Sequence, residues 1–237
     1  AKIPLNTYIQ AKPSVQQIQN DITLSGQVCG HLTNQDEEGN PIIVTITNNA
    51  IVVQIKTNLQ GAYNTNSNLM RTDLNNAGLL PLTHPYSNVP WNYTGTEAVT
   101  SFAPDIVDWV LVEVRRAADT SIIERHAALL RNDGTVVDAD GITNGIRFYN
   151  FACNTPYFIV VRHRNHIDII SSQAVILPNT TPLNFTDPNS VLQGALQLVA
   201  VGNTYAMRAG DGDGNGNITI ADFNIYSAQS SSINKYY

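Results

Sequence analysis

Charge is what this sequence lacks most. Charged residues fill 14 % of its 237 positions, against roughly 25 % in an ordinary soluble domain, and lysine occurs only four times. No basic run exceeds the pair Arg115-Arg116, and the formal net charge is −6 with a pI near 5.2. Nothing here tracks a phosphate backbone, so no nucleic-acid partner is expected. Long apolar runs are missing too. The densest, Trp109 to Val112 and Phe158 to Val161, have the length of strands and fall far short of the ~20 residues of a membrane span. A soluble or peripheral chain with no membrane span is expected. Cysteine is scarce: Cys29 and Cys153 are the only two. They either stay as two buried thiols or form one bridge, closing a loop that the chain-entropy relation values at roughly 4 to 5 kcal/mol. No signal peptide is visible. The chain opens with Ala1, a start that fits a processed, exported protein and equally a cloning boundary.

What fills the place of charge is uncharged polarity. The 27 Asn and 21 Thr residues make up about a fifth of the chain, while the apolar share, 43 %, is ordinary. A core can form beneath a wet, weakly charged surface.

Residues 1–20 carry Pro4, Pro13 and several Gln without a steady period and are expected to form an N-terminal arm. Residues 21–65 read as a small β module. Ile22-Thr-Leu-Ser-Gly-Gln-Val-Cys29 alternates apolar with small or polar side chains before the turn-rich Asn34 to Pro41. Ile42 to Thr47 and Ile51 to Thr57 are rich in β-branched residues around Asn48-Asn49, which predicts an antiparallel unit. Residues 66–208 read as the main β-sandwich domain. Its first forty positions hold turn formers with little periodicity, a length that in a compact domain packs as an ordered coat. Ile106 to Arg115 is the strongest strand. Trp109, Leu111, Glu113 and Arg115 share one face and Asp108, Val110, Val112 and Val114 the other, with Glu113 and Arg115 limiting the first face's share of the core. Short strands separated by turns such as Asn132-Asp-Gly134 and Asp138 to Gly141 then recur about every ten residues, the rhythm of a sandwich. Ser190 to Val201 reads as a strand preceded by a turn.

Residues 209–237 hold the sharpest chemical signal. In Asp211-Gly-Asp213-Gly-Asn215-Gly216-Asn217-Ile218-Thr-Ile-Ala-Asp222, oxygen-bearing residues fall at positions 1, 3, 5, 7 and 12 of a twelve-residue loop with Gly at 6. A twelve-residue loop with that spacing supplies the six to eight hard oxygens that calcium gathers. The expected ligands are Asp211, Asp213, Asn215, the carbonyl of Asn217, and Asp222. Ile218 at position 8 is expected to turn inward and the following residues to start a short helix. The plainer alternative is a Gly-rich acidic turn.

Weaker signals surround it. Arg162-His163-Arg164-Asn165-His166 packs two imidazoles into five residues, a candidate metal or acid/base pair. Alternation sets His163 opposite its arginine neighbours and no spacing brings a carboxylate to it, so a structural role is expected. Asp138 and Asp140 suit a hairpin turn more than a second cation. Tyr86, Trp91, Tyr93 and Trp109 offer either a sugar platform or packing over a sheet end. Four sequons begin at Asn92, Asn179, Asn184 and Asn217. No nucleophile elbow, H-E-x-x-H or phosphate loop occurs, and no enzyme is expected.

Several blocks carry a resemblance: Thr72-Asp-Leu-Asn-Asn-Ala-Gly-Leu-Leu-Pro-Leu82, Pro90-Trp-Asn-Tyr-Thr-Gly-Thr-Glu97, Val107-Asp-Trp-Val-Leu-Val-Glu-Val-Arg115, Ala127-Ala-Leu-Leu-Arg-Asn-Asp-Gly134 and Val161-Arg-His-Arg-Asn-His166. From about residue 55 to 226 the chain resembles a domain of large secreted, adhesin-like surface proteins of Bacteroidota, in which a dockerin-type calcium loop follows the block. Those proteins often run longer, with a sorting tail and a second loop. Residues 24–63 resemble carboxypeptidase-regulatory-like and pilin stalk modules. The resemblance implies an extracellular, cell-surface location. The combined expectation is an all-β fold of two antiparallel β-sandwich units with a C-terminal dockerin-like calcium loop and short helix. Such a chain would be a secreted, calcium-stabilised subunit that assembles with its own copies into a fibre, sheath or surface layer through its arm. A glycan- or protein-binding adhesin module is the alternative.

Overall fold

The computed structural model describes residues 22–25, 44–47, 50–149, 155–179 and 181–229. The N-terminal arm, both cysteines and His31 lie outside the described residues. Strands dominate and helices are few and short: β1 (Ile22–Ser25), β2 (Val44–Thr47), β3 (Ile51–Val53), β4 (Ile55–Lys56), β5 (Tyr63–Asn64), β6 (Leu69–Met70), α1 (Asp73–Asn76), β7 (Ile106–Arg116), β8 (Ile122–Arg131), β9 (Val136–Asp138), β10 (Ile146–Phe148), β11 (Thr155–His163), β12 (His166–Ile170), β13 (Val175–Leu177), β14 (Leu183–Asn184), α2 (Gly194–Gln197), β15 (Leu198–Val201), β16 (Thr204–Met207) and α3 (Ile220–Gln229).

The alternating run predicted as the strongest strand is β7, the centre of an antiparallel sheet in the order β12-β11-β7-β8-β9, with β13 also paired to β11. Because successive side chains leave a strand on opposite faces, β7 supplies two cores at once. Val107, Val110, Val112 and Val114 join Ile159 and Val161 on one face, beneath Ile51, Val53, Ile55, Phe148 and Phe185. Ile106, Trp109 and Leu111 join Ala127, Leu129 and Val137 on the other, beneath Leu80, Tyr86 and Tyr93. The turn-rich stretch before β7 is the ordered coat over that second face. Trp109 Nε1 donates to Pro81 O at 2.9 Å, and Tyr86 OH to Trp109 O at 2.8 Å.

Pairing departs from the predicted small antiparallel unit. β3 runs antiparallel to β10, β4 parallel to β14, and β1 parallel to β2. Ile51, Val53 and Ile55 therefore belong to the same core as β7, which carries that core across the boundary expected at residue 65. Segments of two or three residues bury little by pairing with each other, so the large sheet's apolar face recruits them. Residues 190–201 are also more divided than a single strand. A 3-10 turn at Pro188–Ser190 and α2 precede β15, which starts at Leu198.

Two charged residues of β7 lie deep. Glu113, 1 % exposed, was expected to limit the core. It is enclosed because Oε2 receives Arg115 Nη2 at 2.6 Å and Oε1 receives Arg162 Nε at 2.9 Å. Asp108 sits where the β7–β8 register shifts between Ile106 and Asp108. Such a bulge gives one strand an extra residue and re-aims its side chain.

Candidate metal centre

The acidic loop joins β16 to α3 and is tied down before it begins. Ala209 N donates to Gln60 Oε1 at 2.9 Å and Gly210 N to Asn165 O at 3.0 Å. It then coils around its own carboxylates. Asp211 receives Asn215 N at 3.0 Å and Gly216 N at 2.9 Å. Asp213 receives the backbone N and the side-chain Nδ2 of Asn215 at 3.0 and 2.8 Å. Asp222 Oδ1 receives Gly212 N at 2.8 Å, while Oδ2 receives Thr219 N at 2.7 Å. Gly214, at φ +68°, serves the turn and a close approach together. A Cβ there would stand 2.8 Å from Pro90 Cγ and 2.9 Å from Trp91 Cζ2. The loop is thereby seated on the coat of the second core face.

This winding brings one carboxylate oxygen from each of Asp211, Asp213 and Asp222 within 4.8 Å of the others. Asp211 and Asp222 are buried and Asp213 half-buried. Burial, with the charges of Asp222 and Asp213 adding to it, pushes the Asp211 carboxyl above its ordinary value. The backbone N–H of Thr219 holds Asp222 below its own. The charge reaches the sheet: burial pushes Asp168 of β12 up to about 7 against the opposing pull of Arg162, with Glu113 and Asp211 adding to the rise. Three converging carboxylates, one of them disfavoured as an anion, would gain from a positive partner. Hard oxygens in a glycine-turned loop suit calcium, so the donor set fits that ion. Asn215 stands beside Asp213. The N–H of Asn217 donates to Asn215 Oδ1 at 2.9 Å. Ile218 is not turned inward as expected. It is 46 % exposed and lies against Gly210.

The remaining candidates resolve differently. Arg147 answers the Asp138 and Asp140 pair, with Nε 3.0 Å from Asp138 Oδ2 and Nη2 2.7 Å from Asp140 Oδ2. A guanidinium thus stands where a second cation would. Tyr86, Tyr93 and Trp109 are buried and Trp91 packs against them, so these rings are core rather than an open platform. His84 is buried between Gly95 O and Tyr86 N. His126 stands between Glu124 and Glu97, at 2.7 and 3.2 Å.

One cluster had no adequate signal in the sequence. The bulge at Asp108 and the tight β11–β12 hairpin bring Asp108 Oδ2 to 3.2 Å from His163 Nε2 and 2.6 Å from Arg164 Nη2, the carboxylate that local spacing could not supply. The partners are 56 residues apart for Arg164, so only the β7–β11 pairing reveals them. No protein-family model, curated protein or solved structure matches this chain.

Proposed function

We propose that this chain is a structural protein working outside the cell. In this reading it is a calcium-stiffened β-sandwich subunit with a dockerin-like loop, assembling with its own copies into a fibre, sheath or surface layer. The observation that carries it is the convergence of Asp211, Asp213 and Asp222 at the junction between the sheet and α3. A lone loop of this kind suits the millimolar calcium of extracellular modules. There it would act as a permanent brace, pinning α3 to the coat.

Surface chemistry supports assembly. On α3, Ile220, Phe223 and Tyr226 recur every three residues and are 72 %, 58 % and 69 % exposed, an apolar stripe of the kind that neighbouring molecules cover. With few charges to desolvate, subunits of this composition can pack closely. The same stripe favours a second reading, an adhesin module that binds a protein. The burial of the aromatic rings removes the main support for a glycan platform.

Electron microscopy and sedimentation of the full chain test the proposal. Regular fibres or sheets are expected in calcium, lost on chelation and on deletion of residues 1–20. A chain that stays monomeric in calcium at every concentration overturns the assembly reading.

A further inference from the structure

The β11–β12 hairpin turns through Arg164 and Asn165, and its register sets His163 directly across from His166. Directly opposed residues of an antiparallel pair project to the same side, so the two imidazoles meet. Their Nδ1 atoms are 3.0 Å apart, with the rings at 85° and their centres 4.7 Å apart. Both side chains are deeply buried, 2 % and 5 % exposed. Burial depresses both below the ordinary histidine range, and the charge of Arg164 adds to this. Each ring is therefore neutral near pH 7 and keeps one nitrogen lone pair. Arg164 is itself paired with Asp108.

Two arrangements bring ring nitrogens this close. In the first, one Nδ1–H donates to the other Nδ1. A straight bond of that kind sets each ring beyond its own nitrogen on a common line, with the ring centres further apart than the observed 4.7 Å. In the second, two lone pairs converge on one ion. Two zinc–nitrogen bonds of about 2.1 Å meeting at the tetrahedral angle place their nitrogens about 3.4 Å apart, so the 3.0 Å seen here lies a few tenths of an ångström inside the separation an ion would set. Asp108 fits the second arrangement as well. A metal-bound imidazole normally offers its other ring nitrogen to a carboxylate, which fixes its orientation; Asp108 Oδ2 lies at ion-pair distance, 3.2 Å, from His163 Nε2, an approach whose alignment falls short of a hydrogen bond. In the metal-free chain Asn165 meets both nitrogens: its Oδ1 stands 2.7 Å from His166 Nδ1 as an acceptor, and its N–H donates to His163 Nδ1 at 3.5 Å, so an ion would take the place of the His166 Nδ1 proton. A cleft of about 270 Å³ lined by Asp108, His163, Asn165 and His166, with Leu59 and Val107 among its apolar walls, adjoins the pair and has room for water.

We propose that His163 and His166 form a second metal site, which adjoins the start of the acidic loop through the Gly210–Asn165 contact but differs from it in chemistry. It would take a borderline divalent transition metal such as zinc through both Nδ1 atoms, with Asp108 positioning His163. Imidazole nitrogen selects such ions over calcium, which prefers the hard oxygens of the loop. Water from the cleft completes the coordination, and a third ligand from Asn165 lies within reach.

The test uses the full chain in excess calcium, titrated with zinc and followed by calorimetry and by long-range proton–nitrogen NMR of the imidazoles. One zinc per chain is expected, with the Nδ1 signals of His163 and His166 moving together. His163→Gln and His166→Gln should each weaken binding about tenfold or more, and His126→Gln, which lies outside the cleft, should leave it unchanged. The NMR signals of the unaltered chain keep the test decisive should either glutamine variant fail to fold. Absence of stoichiometric zinc binding overturns the proposal. So does a His166 Nδ1 that stays protonated and unmoved at saturating zinc, or a zinc affinity that survives in both glutamine variants.

Discussion

Removal of calcium is the perturbation with the clearest expected size. An extracellular loop of this kind holds calcium with a Kd on the order of 10⁻⁴ to 10⁻³ M. At a calcium concentration about a hundred times Kd, binding to the folded state alone adds about 2.7 kcal/mol. For a chain of this length, each kcal/mol moves the melting temperature by roughly 2 to 4 °C, so chelation should lower it by roughly 5 to 10 °C. The structure also sets the pH dependence. Asp211, 1 % exposed, has its carboxyl raised first by burial and then by Asp222 and Asp213. In the metal-free protein that carboxyl holds its proton better folded than unfolded. It therefore loses stability for the fold as pH climbs from about 4, the unfolded value, through the raised one. Calcium displaces the proton and supplies the missing charge, so the calcium-induced rise in melting temperature should be larger at pH 7 than at pH 4. Differential scanning calorimetry in calcium and in chelator at both pH values measures this. Asp213→Asn should abolish the calcium response while melting close to the unaltered chain in chelator, because Asp213 is half-buried and its carboxylate accepts hydrogen bonds from Asn215. Equal melting temperatures in calcium and chelator at pH 7 would refute the reasoning.

Three further outcomes are expected. Trp109→Ala, at a fully buried ring that also donates to Pro81 O, should cost about 3 to 5 kcal/mol in denaturant unfolding. It should also make the coat over residues 72–104 more open to proteolysis. Gly194→Ala should lower stability by about 1 to 3 kcal/mol, since the new Cβ would stand 2.2 Å from the Pro188 carbonyl oxygen, which cannot swing aside as a flexible side chain does. At His126 burial works against the charged form, yet Glu124 and Glu97 raise its pKa to about 9. Its stabilisation is then fully present below about pH 6.5 and fades as pH rises through about 9. With a quarter of the ring exposed, screening leaves roughly 1 to 2 kcal/mol. His126→Gln should flatten that part of the stability–pH curve in urea unfolding, and an unchanged curve would remove the cluster from the account.

Local chemistry made several features legible in the sequence alone. The two-residue period of β7 announced a strand with apolar residues on both faces, one of them ended by Glu113 and Arg115, and both faces contribute to the core. Asn132-Asp-Gly134 announced a hairpin turn, and the spacing of Asp211, Asp213 and Asp222 announced converging carboxylates. Each rests on residues within about a dozen positions, where backbone geometry alone decides which side chains meet. Only the tertiary structure decided the partners of the short strands, the burial of Glu113 and the meeting of Asp108 with His163 and Arg164. The Glu113–Arg162 contact spans 49 residues and the Asp108–Arg164 contact 56. Whether a charged side chain becomes a core ion pair or a solvated edge depends on which strand is laid beside it. That choice is made by the burial of whole sheet faces, a quantity that no short window of sequence contains.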